Sequence, residues 1–369
     1  MFAKRVEKLH ASGIRKIFEL ASKIENPVNL SIGQAHFDVP KEAKEAANNA
    51  INDGFNGYTV TQGIDELNHV AIKYVKDNYG VESETSFITG GASGGLLLSF
   101  LTLIDRGDEI LLPDPYFVMY YHLANLCEAK ITYYNLYPDF ELDIEELDRK
   151  ITKKTKAILI NSPGNPTGGA FSESQIKSLC EICKKNKVII LSDEIYSDFI
   201  YDFPHISPLK YYEDTILISG MSKTWGMAGW RMGYVIGPNK YLDRMKTLQQ
   251  FTFVCPPSPL QMGAITAMNC DISRELNSYK IKRDMIYSGL KDNYQCVKPH
   301  GSFYIFPQVP DGYTDIEFVE KALDKEVLLV PGSAFSAKNN HFRISFAADD
   351  NTLKRGIELL NGLVRELRQ

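Results

Sequence analysis

Short apolar runs alternate with helix-like patterns between about residues 85 and 237. Strands that alternate with helices of ten or so residues form parallel sheets covered on both faces. The pattern therefore predicts an α/β domain with a mainly parallel seven-stranded sheet sandwiched by helices. The predicted strands are residues 86–89, 109–112, 131–134, 157–161, 188–192, 215–219 and 232–236. The predicted helices are residues 95–103, 118–126, 144–150 and 172–185.

The pattern changes after residue 236. A long helical stretch runs from residue 239 to about 293 and is interrupted by the prolines of residues 255–259. β-rich pieces follow at 302–306, 327–330 and 341–346, and an amphipathic helix is predicted over 351–368. We expect a smaller α+β domain here. The predicted division is an N-terminal segment, 1–40, that joins the small domain, a large domain, 41–285, and the small C-terminal domain, 286–369.

Composition narrows the class of protein. The chain has 369 residues, of which 44% are hydrophobic and 24% charged, with a net charge of -5, as in ordinary globular proteins. The Lys and Arg residues are scattered along the sequence and form no basic cluster of the kind that binds nucleic acid or an anionic membrane. No apolar run reaches the length of a membrane span, and the first seven residues lack the apolar core of a signal peptide. We therefore expect a cytoplasmic protein without nucleic-acid or membrane partners.

The cysteines and histidines do not indicate a metal or disulfide framework. Six dispersed cysteines are too few for a disulfide scaffold in a chain of this length, so free thiols are expected. Cys180 and Cys183 form a C-x-x-C pair late in a predicted helix, with no second pair to complete a zinc site. The seven histidines show no ligand spacing. No metal is predicted.

A lysine stands among small residues directly after the strand predicted at 215–219. Lys223 follows Ser222 in a Gly/Ser-containing loop, and a desolvated amine at such a place is a candidate for Schiff-base formation. Ser222 and Arg231 add a hydroxyl and a fixed positive charge, which suit a phosphate. The predicted partner is a phosphorylated carbonyl cofactor. On its own, such a lysine is more often a solvated surface residue, so the assignment of Lys223 to a cofactor depends on the other motifs.

A glycine-rich turn, residues 89–95, lies between a predicted strand and a predicted helix. Small residues allow backbone N–H groups of a first helical turn to approach an oxyanion, which the helix dipole also favours. The turn matches neither a Walker A loop nor a dinucleotide fingerprint. It indicates a phosphate cradle or, alternatively, only a tight connection.

Two further motifs end predicted strands. Asn165 lies in a turn rich in Pro and Gly and offers an amide donor, unless that amide only bonds its own backbone. Asp193 and Glu194 follow a very apolar strand, and β alternation favours Asp193 for facing a site. An amine, an acid, an amide and an oxyanion cradle at strand ends together fit pyridoxal 5'-phosphate, whose pyridine ring withdraws electrons when an acid keeps its nitrogen protonated.

These motifs, in this order, carry a resemblance to a known family. The set comprises Gly91-Ala92-Ser93, Asn165-Pro166-Thr167-Gly168, Asp193-Glu194-Ile195-Tyr196, and Ser222-Lys223 with Arg231 eight residues on. It resembles the pyridoxal-phosphate-dependent aminotransferases of the aspartate aminotransferase type, class I/II and fold type I. The resemblance extends from residues 13–15 to residues 341–345.

The resemblance implies roles for the cofactor site. Lys223 would form the aldimine and shuttle the substrate's α-proton, Asp193 would pair with the pyridine nitrogen, and Asn165 and Tyr196 would bond the phenolic oxygen. The catalytic residues would thus be Lys223, Asp193 and Tyr196. The implied phosphate ligands are Gly91, Ala92, Ser93, Ser222 and Arg231. The implied ring contacts are Phe117 on one face and Ile195 on the other, although Phe117 alone would equally suit a core position.

The resemblance also implies substrate and partner contacts. Arg343 would clamp the substrate α-carboxylate, with Gly33 and Asn165 completing that subsite. Tyr58 would reach the phosphate of a neighbouring subunit, which implies a homodimer with shared active sites. The chain departs from many relatives after Gly33, where it has Gln-Ala-His. His36 is therefore expected on a surface turn or, as the alternative, in the pocket for the substrate side chain.

The expected activity is amino-group transfer from an L-amino acid to a 2-oxo acid, with 2-oxoglutarate as the expected acceptor. Lyases and decarboxylases of the same fold share the cofactor site and stay open as alternatives. A cofactor-binding regulatory protein is a further alternative, weakened by the intact acid, lysine and carboxylate clamp. The amino donor, whether aspartate, aromatic, alanine or another, is not predicted.

Overall fold

The computed structural model describes residues 2–7, 9 and 26–368. The family-like residues 13–15 lie outside that part. The strands are β1 Val28–Asn29, β2 Ser86–Gly90, β3 Glu109–Asp114, β4 Lys130–Asn135, β5 Thr155–Asn161, β6 Ile189–Asp193, β7 Thr215–Gly220, β8 Met232–Ile236, β9 Tyr304–Ile305, β10 Val327–Leu328, β11 Val330–Pro331 and β12 Phe342–Ser345.

The helices lie between these strands and at the end of the chain. They are α1 Lys4–Glu7, α2 Lys41–Asn52, α3 Asp65–Tyr79, α4 Gly91–Leu103, α5 Val118–Leu126, α6 Ile144–Lys150, α7 Glu173–Asn186, α8 Met221–Thr224, α9 Asn239–Thr252, α10 Ser258–Met268, α11 Ser273–Leu290, α12 Asp315–Asp324 and α13 Asp350–Leu367. No helix in residues 2–7 and 26–368 combines the length and apolar character needed to cross a membrane.

The predicted seven-stranded sheet is confirmed, with strand order β2-β8-β7-β6-β5-β3-β4. β8 runs antiparallel to both of its neighbours, and the other pairings are parallel. Successive residues of the central strands enter different core clusters: Leu159 and Leu191 pack on one face, and Ile158 and Ile190 on the other. Because both faces are buried, these strands are apolar throughout rather than alternating.

Helix α7 shows how the local sequence fixes an element of this domain. Ser172 and Gln175 form the predicted capping box, in which each side chain bonds the other residue's backbone N–H. The buried face of α7 includes Cys180 and Cys183, and burial raises the pKa of the Cys180 thiol to about 12. All six cysteines are free. The C-x-x-C pair is therefore part of the core.

The small domain is built from both ends of the described chain. β1 pairs in parallel with β10, and β11, β12 and β9 form an antiparallel sheet. Val28 and Leu30 share one core with residues of α11, α12 and α13. We keep residues 40 and 285 as the proposed domain boundaries, supported at the first boundary by this shared core. Helix α11 runs continuously past residue 285.

Several predicted bounds are corrected. Helix α4 begins at Gly91, not at residue 95, because the small residues of the turn are themselves helical. The stretch from 239 to 293 has a second break between α10 and α11 at residues 269–272. The β-rich piece at 327–330 divides into β10 and β11, which pair with different strands. The bounds of these helices and strands are set by backbone hydrogen bonds, which the pattern of apolar residues does not reveal.

Candidate active site

A cavity of about 270 Å³ lies where β5, β6 and β7 end. In an open α/β sheet, this carboxyl edge is where ligands bind. The segment after β1 and strand β12 of the small domain complete its wall. The lining residues are Ser31, Gly33, Ala92, Ser93, Leu96, Phe117, Tyr120, Asn161, Asn165, Asp193, Ile195, Tyr196, Ser222, Lys223, Ala228, Arg231, Tyr304 and Arg343.

Lys223 extends into this cavity from α8, the short helix directly after β7. Its Nζ donates a 2.6 Å hydrogen bond to the carbonyl oxygen of Gly33. Burial and, after it, the positive charge of Arg343 lower the pKa of Lys223 to about 8. Roughly one tenth of this amine is therefore uncharged at pH 7, far more than at an ordinary lysine pKa, and the uncharged form is the one that attacks a carbonyl carbon.

Asp193 is the last residue of β6 and is almost completely buried. Its Oδ2 accepts a 2.6 Å hydrogen bond from the Tyr120 hydroxyl, and its Oδ1 accepts one from the backbone N–H of Ile195. Burial raises the pKa of the Asp193 carboxyl to about 6, although these hydrogen bonds oppose the rise. Such a carboxyl suits a cationic or protonated partner within the cavity.

Glu194, the next residue, faces away from the cavity. Its carboxylate accepts hydrogen bonds from Ser192, Ser207 and the ring of His205. The two acids therefore have different surroundings, as strand alternation requires of neighbouring residues.

The first turn of α4 and Arg231 form the cationic end of the cavity. Arg231 stands just before β8, and its guanidinium bonds the carbonyl oxygens of Ala228 and Gly90. A Cβ atom on Gly91, whose φ is +73°, would lie 2.6 Å from Arg231 Nη2. Gly91 is therefore required for the close approach of the guanidinium to a helix N-terminus, where N–H groups lack intrahelical acceptors.

Arg343 of β12 lies opposite, across the cavity. Its Nη1 donates to Asn165 Oδ1 at 2.9 Å, and its Nη2 donates to the carbonyl oxygen of Ser31 at 2.8 Å. Its guanidinium stacks near the rings of Tyr304 and Phe335. The buried Nε has no hydrogen-bond partner among the described residues. Arg343 lines the cavity, and a guanidinium there suits a carboxylate that enters it.

The structure brings most of the predicted site residues together. Every residue predicted for the site lines the cavity except two. Gly91 stands directly behind it, against Arg231, and Tyr58 is 87% exposed at the surface of this chain. His36 is exposed and contacts Tyr279 and Lys282 rather than the cavity. His36 thus does not line this cavity, and its contact with a substrate side chain stays an alternative prediction.

Four polar residues of the cavity were not predicted from the sequence: Ser31, Tyr120, Asn161 and Tyr304. Tyr120 lies one helical turn after Phe117, so helical spacing could have indicated it. Asn161 ends β5 and donates to the backbone oxygen of Asp193, in the place typical of site residues. Tyr304, whose hydroxyl is 3.0 Å from that of Tyr196, comes from the other domain, and no local pattern indicates it.

Comparison with known proteins agrees with this geometry. The family model for aminotransferase class I and II matches residues 25–360. A probable aspartate aminotransferase of Methanocaldococcus jannaschii is 40% identical over 100% of both chains. A probable N-acetyl-LL-diaminopimelate aminotransferase of Bacillus subtilis is 35% identical over 99% of this chain and 96% of that protein.

A solved structure extends the likeness to the fold. The aspartate aminotransferase of Thermus thermophilus, determined as a double mutant, has a TM-score of 0.94. It is 28% identical, and the match covers 98% of this chain and 99% of that one. Family match, full-length relatives and fold all agree with a cavity that unites an amine, an acid and a carboxylate-binding arginine. The chain belongs to the class I and II aminotransferases and is an enzyme that transfers amino groups.

Proposed function

We propose that the cavity binds pyridoxal 5'-phosphate and that Lys223 carries it covalently. One observation supports this above all: a partly uncharged amine, a buried carboxyl and an arginine-flanked helix N-terminus line the same cavity. When bound, the cofactor supplies an electron-withdrawing ring that lets the α-proton of an amino acid leave.

Different residues of the chain would hold different parts of the cofactor. Arg231 and the N–H groups of the first turn of α4 would hold the phosphate, with Ser93 and Ser222 adding hydroxyls. Asp193 would keep the pyridine nitrogen protonated. Tyr196 and Asn165 would bond the phenolic oxygen. Phe117 and Ile195 would contact the two faces of the ring.

The substrate would bind on the small-domain side. The Arg343 guanidinium would hold the α-carboxylate, with Gly33 and Asn165 beside it. The neutral Lys223 amine would then accept the proton from the substrate α-carbon and later return it. Attachment of the cofactor and acceptance of the α-proton both require an uncharged Lys223 amine, which its lowered pKa favours.

We further propose a homodimer in which Tyr58 completes the neighbouring site. Two neighbouring segments, residues 51–60 and 251–261, carry exposed apolar side chains. Hydrogen bonds hold the segments together: Ser258 Oγ donates to the Gly57 oxygen, and Gln261 donates to Thr59 Oγ1. Such a surface is typical of an interface. Its exposed apolar residues are Ile51, Phe55, Tyr58, Val60, Phe251, Phe253 and Val254.

The acceptor and location follow from the family and composition. We propose 2-oxoglutarate as the amino acceptor and the cytoplasm as the compartment. The donor is left to experiment, because the named relatives include proteins called aspartate and N-acetyl-LL-diaminopimelate aminotransferases.

The test of cofactor attachment uses Lys223→Ala. Reduction of the wild-type holoenzyme with borohydride should add the mass of the reduced cofactor to the peptide that contains Lys223, and the variant should lack both the adduct and turnover. Lys177→Ala, on the exposed face of α7, is the control and should behave as wild type. An adduct of equal yield in Lys223→Ala would refute the proposal.

A donor panel tests the reaction. Purified enzyme mixed with single amino acids and 2-oxoglutarate should form glutamate and the matching 2-oxo acid in equal amounts. Release of ammonia without an acceptor would indicate a lyase instead.

A further inference from the structure

Two segments that line the cavity are joined behind it by a single carboxylate. Lys223 points into the cavity from α8, and the next residue, Thr224, points away and is buried. The Thr224 hydroxyl donates a 2.6 Å hydrogen bond to Asp198 Oδ2. Asp198 is five residues after Asp193, on the loop that also carries Ile195 and Tyr196.

The same carboxylate is fixed from a third side. The hydroxyls of Tyr74 and Tyr79, both on α3, donate to Asp198 Oδ1 at 2.6 and 2.5 Å. Tyr74 also packs edge-on against Trp225, the residue that follows Thr224, with ring centroids 5.2 Å apart. Asp198 therefore accepts three hydroxyl hydrogen bonds, and no ion pair in the described residues includes it.

Bonds to a charged acceptor are stronger than those between neutral groups, and a carboxylate can accept from several directions at once. The Thr224 bond directly links α8, which bears Lys223, to the loop that follows Asp193 and bears Tyr196. Resting on the proposed role of Lys223, we propose that Asp198 is a positioning residue: through Thr224 it fixes the Lys223 amine relative to Asp193 and Tyr196.

The arrangement provides a matched pair of variants. Thr224→Val and Tyr79→Phe each remove one hydroxyl from the same carboxylate without changing any charge. Only Thr224→Val removes a bond to α8 and so loosens Lys223. Tyr79→Phe instead weakens the link to α3, which Tyr74 still bonds to Asp198, and it also removes the bond from Tyr79 to Ser197 Oγ. Thr224→Ser keeps the hydroxyl and should retain wild-type behaviour. Thr224→Ala replaces Thr224→Val if the valine variant does not fold.

The first measurement uses cofactor-free, full-length protein. The rate at which an amine-reactive acylating reagent labels Lys223, followed by mass spectrometry across pH, reports the pKa of that amine. Thr224→Val should raise the pKa of Lys223 toward its ordinary value, because a looser amine gains solvent. Tyr79→Phe should leave the labelling profile unchanged.

The second measurement uses the holoenzyme. Thr224→Val should lower kcat by about 10- to 100-fold, because a misplacement of the order of 1 Å is that costly. The KM for the amino donor should stay within about twofold, since Arg343 is untouched. Tyr79→Phe should lower thermal stability yet keep kcat.

Equal changes of kcat and of the labelling profile in Tyr79→Phe and Thr224→Val would overturn the proposal, since Asp198 would then only stabilise the fold. An unchanged kcat and labelling profile in both Thr224→Val and Thr224→Ala would overturn it as well. Failure of the proposed cofactor attachment is distinguishable, because it would appear in the wild type as a missing adduct on Lys223, whatever the variants do.

Discussion

At the scale of single residues, the cavity shifts the pKa values of an acid and an amine toward neutral pH. Burial raises the pKa of Asp193 to about 6 and lowers that of Lys223 to about 8. Each shift means that the charged form is less stable in the folded protein than in water. The site therefore carries a cost in stability that chemistry requires, as active sites commonly do.

Asp193→Asn should stabilise the cofactor-free protein in a pH-dependent way. Because the folded-state pKa lies above the unfolded value of 3.8, the native protein loses stability as pH rises from about 4 to 6. The variant should be more stable by on the order of 2–3 kcal/mol above pH 6 and gain little at pH 4. Urea unfolding at several pH values measures this.

Asp311→Asn, at an exposed position, is the control and should leave the unfolding curves unchanged. In the holoenzyme, Asp193→Asn should lose most activity, because the proposed partner of the ring nitrogen is gone. A destabilised variant at neutral pH would contradict this account of Asp193.

The sequence predicted the residues of the site better than their contacts. Lys223, Asp193 and Asn165 stand at strand ends, so a local pattern suffices to find them. Tyr304 and Ser31 reach the cavity through folding of the small domain, at long sequence separation. No periodicity encodes such an approach, and only the assembled fold reveals it.

At the scale of elements, the beginning of α4 is the most consequential difference from the sequence prediction. Strands and amphipathic helices were predictable because their apolar residues repeat with a fixed period. The first turn of α4 consists of Gly, Ala and Ser and has no such period. Because this turn is helical, α4 begins with Gly91, Ala92 and Ser93, rather than with Leu96 and its neighbours, at the end of the cavity that Arg231 lines.

Gly91→Ala should weaken cofactor binding. The new methyl group would meet the Arg231 guanidinium at 2.6 Å and would force a side chain into a φ of +73°. We expect the Kd for pyridoxal phosphate to rise at least about tenfold and the free energy of unfolding to fall by about 1 kcal/mol. Titration of cofactor-free protein, followed by absorbance, measures the affinity.

Gly90→Ala is the matched control, because a Cβ atom there meets nothing within 4 Å and Gly90 has an ordinary φ of -69°. It should change both quantities much less. Equal losses in the two variants would show that neither strain nor the Arg231 contact explains the effect.

At the scale of the whole molecule, a single chain leaves the proposed site incomplete. Tyr58 is exposed among other exposed apolar side chains, and a contiguous apolar surface of this kind is typical of an interface. In a two-fold dimer the same surface of both chains forms the interface, so each chain would lend its Tyr58 to the other chain's site and receive one in return. The exposed apolar residues and the proposed shared sites thus have one explanation.

Mixing two inactive variants tests shared sites. Tyr58→Ala and Lys223→Ala chains, unfolded and refolded together, should regain up to about a quarter of wild-type activity, since half of randomly paired dimers have one complete site. Each variant refolded alone is the control. No recovery, despite heterodimers detected by mass, would mean that Tyr58 serves its own chain or no site.

The antiparallel direction of β8 also has a consequence for chain length. Because β8 starts where β7 ends, Lys223 and Arg231 belong to one hairpin whose two legs are held in register, Gly220 opposite Gly233. An inserted residue between them cannot be absorbed without shifting one charge against the other. The far edge of the sheet, at residues 237–238, carries none of the cavity's residues. An insertion there should therefore disturb the cavity less than one extra glycine after Lys223.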